Sequence, residues 1–172
     1  YFNANECADF DIGSNVFCKA GKKTEGMTIT FGKNVKNIPG YLCCGSEYDS
    51  YTKKYYYSFV HAPHVKKIII GDGVQNIGRF AFYDIGSLTE IIYNAKAVAD
   101  LKSDSYVFNK AAFPYGFQVQ FGDGVERIPA YLFYNCTGLT SVTIGNNVTS
   151  IENGALLICT NLTSVTIGNS VT

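Results

Sequence analysis

The sequence predicts a solenoid, a stack of short coils sharing one continuous interior. Cys136-Thr-Gly-Leu-Thr-Ser-Val-Thr-Ile-Gly-Asn-Asn-Val-Thr149 returns as Cys159-Thr-Asn-Leu-Thr-Ser-Val-Thr-Ile-Gly-Asn-Ser-Val-Thr172, offset by 23 residues with 12 of 14 positions identical. The pattern Val/Ile-x-Ile/Phe-Gly-x-x-Val-x-x-Ile recurs along the chain, marked by Gly32, Gly71, Gly122, Gly145 and, in an incomplete last copy, Gly168. A unit this short buries its apolar face only against its neighbours, so a fixed period in the twenties dictates stacking.

Each element of the unit has a physical reading. Val142-x-Ile144 alternates as a half-buried strand does, and Ile29-x-Phe31, Ile68-x-Ile70, Val119-x-Phe121 and Val165-x-Ile167 repeat it. The glycine after each strand is expected to supply a positive φ that side chains disfavour. Val148-x-x-Ile151, like Val35/Ile38, Val74/Ile77 and Val125/Ile128, carries the chain back across the far side with its apolar residues inward. A segment such as Tyr41-Leu42-Cys43, Phe80-Ala-Phe82, Tyr131-Leu-Phe133 or Ala155-Leu156 then closes the coil. It is read as a turn or a single helical turn, too short to form a free-standing helix.

The marker glycines are spaced 39, 51, 23 and 23 residues apart. The 39-residue coil contains an insertion from Cys44 to His64. In the 51-residue interval, Tyr93-Asn-Ala95, Ala99-Asp100, Val107-Phe108 and Lys110-Ala111 repeat Phe2-Asn-Ala4, Ala8-Asp9, Val16-Phe17 and Lys19-Ala20. A longer coil of about 30 residues therefore opens the chain and reappears in its middle. Residues 1–172 read as a single domain of six to seven coils, a curved rod about 30 Å long at one strand spacing per coil. Repeat material begins at Tyr1 and breaks off inside a unit at Thr172, so the sequence reads as part of a longer chain. The unpaired edge expected at Thr172 would take further repeats or self-associate.

Composition narrows the function. Apolar residues make up 47% and charged residues 16%, the balance of a folded chain. Fourteen basic residues offset fourteen acidic ones, with no basic run, which gives no reason to expect nucleic acid or an anionic membrane as partner. No stretch approaches 18 consecutive apolar residues, so no membrane insertion is expected in this segment. Of the six cysteines, Cys136 and Cys159 hold the same place in successive units. They are read as small buried residues rather than disulfide partners or metal ligands.

Leu139-Thr-Ser-Val-Thr-Ile-Gly-Asn-Asn-Val-Thr-Ser-Ile151, with Phe80-Ala-Phe82 and Cys136-x-x-Leu139, resembles the BspA-type leucine-rich repeat family of bacterial surface proteins. The resemblance implies a leucine-rich repeat solenoid: a right-handed, β-rich α/β superhelix with a parallel β-sheet on its concave face and short strands and helical turns on its convex side. It also implies extracellular or cell-surface placement in host-associated bacteria and, for some members, adhesion to host matrix proteins or other microbes. It carries no catalytic motif. The chain departs from the family in the Cys44–His64 insertion and in Leu156, where the family usually has Phe.

Two groups of residues are candidates for binding a partner. The insertion holds Tyr48, Tyr51, Tyr55, Tyr56 and Tyr57, and tyrosine offers contact area with a polar tip at low entropic cost. The same residues equally suit packing over the coil beneath. Thr30, Ile69, Gln120, Thr143 and Thr166 are the strand residues facing away from the core, with Ser141 and Ser164 beside them. Threonine also suits a solvated strand for its own sake. Ile69, next to Lys66 and Lys67, is the odd member.

Other constellations are weak. Cys43, Cys44, His61 and His64 offer soft ligands, but the spacing matches no zinc finger, and a Cys–His nucleophile pair there lacks an orienting carboxylate. The sequons at Asn135, Asn147 and Asn161 follow from the Asn- and Thr-rich repeat, and Gly71-Asp-Gly73 and Gly122-Asp-Gly124 are turn signals. No cofactor or metal is expected. The expected function is a non-enzymatic cell-surface or secreted repeat protein that binds a host protein, a glycan or another cell; the alternative is a passive spacer holding another domain off the envelope.

Overall fold

The computed structural model describes Phe17, Ala20 and residues 25–43, 46–52, 54–57 and 64–172. Twelve strands lie among them: β1 (Met27–Phe31), β2 (Asn37–Ile38), β3 (Ser46–Asp49), β4 (Lys54–Tyr57), β5 (Val65–Ile70), β6 (Asn76–Ile77), β7 (Glu90–Tyr93), β8 (Phe117–Phe121), β9 (Arg127–Ile128), β10 (Leu139–Ile144), β11 (Ser150–Ile151) and β12 (Ser164–Ile167). Six of them form one parallel sheet in the order β1-β5-β7-β8-β10-β12. Each coil contributes one rung, and rungs are added in chain order, which is what a solenoid requires. The first copy of the longer coil lies outside the described residues apart from Phe17 and Ala20.

The register lines up the repeat. Ile29, Ile68, Ile91, Val119, Val142 and Val165 are mutual partners along the sheet, as are Phe31, Ile70, Tyr93, Phe121, and again Ile144 and Ile167. These two rows point inward and are buried as far as β10; on β12, Val165 and Ile167 are about half exposed. On the return leg Val35, Val74, Val125 and Val148 are fully buried, and the two-residue pairs β2–β6 and β9–β11 stack Ile38 on Ile77 and Ile128 on Ile151. Phe82, Phe108 and Phe133 close the third side as a continuous stack, with ring centroids 5.1 and 5.0 Å apart. Such ring pairs contribute about 0.5–1.5 kcal/mol each beyond their buried area. The stack ends at Leu156, which is only partly buried.

One reading is completed and two are corrected. The extra coil read in the 51-residue interval between glycines brings a strand of its own to the sheet. β7 pairs Ile70 with Tyr93 and Tyr93 with Phe121, dividing the interval into steps of 23 and 28 residues. Asn94 stands where the other coils have their glycine, which conceals the strand of this coil in the sequence.

The marker glycines do not serve a positive φ. Gly71, Gly122, Gly145 and Gly168 all lie outside the left-handed region. At Gly71 and Gly168 close approach between coils requires glycine instead: a Cβ on Gly71 would sit 2.2 Å from the Phe31 carbonyl oxygen, and one on Gly168 2.5 Å from that of Gly145, whereas at Gly145 the nearest atom, Phe121 O, would be 3.7 Å away.

The second correction concerns the closing segments: they are turns, one of the two readings, and the helical turns implied for the convex side do not occur among the described residues. No helix occurs among the described residues, so none is long and apolar enough to cross a membrane. Tyr41, Phe80, Tyr106 and Tyr131 instead take φ of 57°, 56°, 45° and 55°; Asp84, Lys110 and Asn135 repeat this four residues after the last three, as Ile158 does after Gly154. Left-handed backbone costs about 1–2 kcal/mol per ordinary residue. Here it accompanies hydrogen bonds to the next coil: Tyr41 N–H to Arg79 O at 3.0 Å, Phe80 N–H to Ser105 O at 2.9 Å and Asn135 N–H to Leu157 O at 2.8 Å.

Candidate interaction surface

Because β-strand side chains alternate, the residues between the buried rows must face away from the core. The register sets them in two parallel rows. One runs Thr30, Ile69, Ile92, Gln120, Thr143, Thr166, and the other Thr28, Lys67, Glu90, Gln118, Ser141, Ser164. All five strand residues singled out from sequence therefore fall in a single row. Gln120, Thr143 and Thr166 are exposed, and Thr30 and Ile69 half-buried. Ile92 completes the row; it was missed because its rung was missed. Ile69 is thus no isolated oddity, since it borders Ile92 and the two make the apolar spot of an otherwise polar face. In the adjoining row Lys67 Nζ lies 2.7 Å from Glu90 Oε2, both side chains about 30% exposed. This ion pair spans the same two strands, β5 and β7, beside the isoleucines.

The described part of the tyrosine-rich insertion forms an antiparallel hairpin. β3 pairs with β4 in a register of Ser46–Tyr57, Glu47–Tyr56, Tyr48–Tyr55 and Asp49–Lys54. Tyr51 sits in the connection, 94% exposed. Tyr48, Tyr55, Tyr56 and Tyr57 are placed on the hairpin strands by the backbone register. β3 and β4 form a two-stranded sheet separate from the six-stranded one, so the two candidate groups belong to different elements.

The cysteines divide in the same way. Cys7, Cys18, Cys44 and also His61 lie outside the described residues. Cys43, Cys136 and Cys159 are free thiols, and the first two are buried. Cys136 Sγ donates to Phe108 O and Cys159 Sγ to Phe133 O, both at 3.2 Å, each binding a carbonyl of the preceding coil. Burial pushes the Cys136 thiol well above its ordinary range and Cys159 up to about 11. Both are therefore thiols rather than thiolates, poor nucleophiles with a structural task. Among the described residues no group of three or more His, Cys, Asp or Glu side chains is placed to hold a metal.

Two buried polar atoms stand out because neither has a hydrogen-bond partner among the described residues. The Tyr93 hydroxyl lies in the inner row of the sheet, where burial pushes the phenol up despite the opposing charge of Arg127. Asp84 Oδ1 lies in the turn ladder; burial pushes that carboxyl up to about 6, with Lys110 opposing. On the return side, Arg127 bridges coils through Asp100 and through Glu152, the latter at 2.9 Å, and Asp100 also accepts the Ala130 N–H at 2.8 Å. That backbone hydrogen bond and the guanidinium hold Asp100 below the usual carboxylate range. These are ties between coils.

The sequence matches the family model for the BspA type leucine rich repeat region, in six copies covering residues 10–103 and 52–172. No curated protein and no solved structure matches the chain significantly. With a rung per coil in register and the match covering nearly all residues, the chain belongs to the BspA-type leucine-rich repeat family.

Proposed function

We propose that this chain is a non-enzymatic binding scaffold of a cell-surface or secreted protein, engaging a macromolecular partner such as a host protein, a glycan or another cell. The six-stranded sheet is its concave working face. One observation carries this reading. Parallel sheets are normally covered on both faces, yet no described element covers the outer rows of this one. That face offers an apolar pair, Ile69 and Ile92, flanked by the Lys67–Glu90 ion pair and surrounded by small hydroxyls and amides. An apolar centre with a polar rim is the usual anatomy of a protein-binding patch. Family membership supports the same reading, since BspA-type repeat proteins are typically displayed at the surface or secreted and often bind proteins or mediate adhesion.

The spacer reading draws on a different observation. Thr143 pairs with Thr166 and Ser141 with Ser164, and such like-with-like pairs stabilise a solvated sheet without any ligand. Capture of extracellular-matrix proteins by the immobilised chain separates the two. The binding reading expects capture that Ile69→Ser together with Ile92→Ser weakens about tenfold, the scale set by losing a central contact, while the melting temperature holds. Absence of capture, or equal capture by the double variant, leaves the spacer.

A further inference from the structure

At the entry end of the sheet the repeat provides its own internal comparison. Immediately before the outward rows stand Thr89, Thr140 and Thr163. Each hydroxyl donates to a carbonyl of the preceding coil: Thr89 to Lys66 O at 2.8 Å, Thr140 to Phe117 O at 2.9 Å and Thr163 to Thr140 O at 3.2 Å. The place is a bulge. The register passes from Leu139 to Ser141 over Thr140, and likewise from Met27–Val65 to Thr28–Lys67 over Lys66. In β5, then, a lysine occupies the position of a structural threonine. Lys66 makes no ion pair among the described residues, whereas its neighbour Lys67 is paired with Glu90. Its stem lies against Gly26, where a Cβ would come within 2.3 Å of Lys66 Cγ. The fold gives no reason for this lysine, and bulges are places where strands re-aim side chains towards sites.

Lys66 lines a cleft of about 370 Å³ with His64, Ser87, Thr89 and Tyr115, a size in the range of small-ligand sites. The cleft exists because the repeat is broken on both sides of it. One wall, His64 and Lys66, follows the long insertion. The other belongs to the segment between Ala111 and Phe117, which is three residues longer than its counterpart between Cys136 and Leu139. The excess projects Phe113 and Tyr115, which are 50% and 87% exposed. Between them lies a coil of ordinary length. Ser87 Oγ donates to Val65 O at 3.0 Å and Thr89 Oγ1 to Lys66 O. With those protons committed, both oxygens meet the cleft as acceptors.

We propose that this cleft binds an acidic sugar, a saccharide unit carrying a carboxylate. Lys66, with His64 beside it, receives the carboxylate; Ser87 and Thr89 accept from ring hydroxyls; and the Tyr115 ring stacks on the apolar face of the pyranose. No described acidic side chain lines the cleft to repel the anion. A phosphate group fits less well, because it needs donors on every side and here would meet two acceptors. The site deepens the proposed glycan binding by giving it a class of sugar, and it is separate from the sheet face. Variants at Ile69 and Ile92 leave it intact, so the two readings fail independently.

The test is titration of the full chain with 3′-sialyllactose, a hyaluronan tetrasaccharide and neutral lactose, followed by NMR. The two acidic probes distinguish a terminal sialic acid from a chain uronic acid as the source. At least one is expected to bind, with lactose about tenfold weaker, the scale of one charge-assisted hydrogen bond. Lys66→Thr restores the residue that the repeat itself uses, so it is expected to fold normally and to weaken acidic-sugar binding about tenfold; Tyr115→Ala is expected to weaken it while the melting curve stays in place. Three results would each overturn the proposal: no binding of either acidic probe at about 10 mM, below the weak end of useful affinity; lactose binding as well as the acids; or Lys66→Thr binding unchanged.

Discussion

Two residues sit in places where the repeat elsewhere puts something simpler, and each predicts a measurable effect. Tyr93 holds an inner-row position that Phe31 and Phe121 fill in other coils, and its hydroxyl is fully buried without a partner. An orphaned buried hydroxyl costs about 1–3 kcal/mol. Tyr93→Phe is therefore expected to stabilise the protein by about 1 kcal/mol in a urea melt; destabilisation would mean that the hydroxyl has a role the packing does not reveal. Asp84 is 3% exposed, and its carboxyl is raised from 3.8 to about 6. Between those two values the unfolded chain has released the proton while the folded chain keeps it. Stability thus falls as pH rises across that window and levels off above about 6. Asp84→Asn, which tolerates the φ of 61° at this position, is expected to remove that slope. The variant should gain on the wild type from about pH 4 upward, and parallel pH–stability profiles would contradict the assignment.

At the scale of elements, the strand ladder and return leg were legible because each places apolar residues at fixed spacing in several copies. Cys136 and Cys159 likewise occupied equivalent inward places, as the 23-residue offset required. Features set by contacts between coils were not legible. β7 was hidden by Asn94. The turn ladder puts tyrosine, phenylalanine and lysine into left-handed backbone, and no local sequence signal marks that; the hydrogen bonds and ring stacks that hold it come from the neighbouring coil. The glycines were recognised, but for the wrong reason. Gly73 makes the real reason testable. A Cβ there would lie 1.8 Å from the Lys33 carbonyl oxygen, whereas one on Gly86 meets nothing within 4 Å. Gly73→Ala is expected to cost about 3 kcal/mol through forced separation of two coils. Gly86→Ala should change stability by less than about 0.5 kcal/mol. Equal effects would mean that the turns accommodate a side chain by moving apart.

For the whole molecule, the stacked interior leaves one face of a parallel sheet without cover from any described element and arranges its outward residues by rung. Most of that row was readable from sequence, and Ile92 emerged only with the extra strand. The cleft at the sheet's entry end was not readable at all. It lies between two departures from the repeat that are about 50 residues apart in sequence, and only the stacking brings them together. Both surfaces depend on the rungs following chain order at strand spacing. Pulsed electron–electron resonance between spin labels on the outward row tests this most directly. At about 4.8 Å per rung, the backbone separation rises from roughly 14 Å for Ile92–Thr166, three rungs apart, to roughly 24 Å for Thr30–Thr166, five rungs apart. A distance that increases with rung number in this proportion is the predicted result; separations that do not follow the rung order would contradict the stacked-coil account.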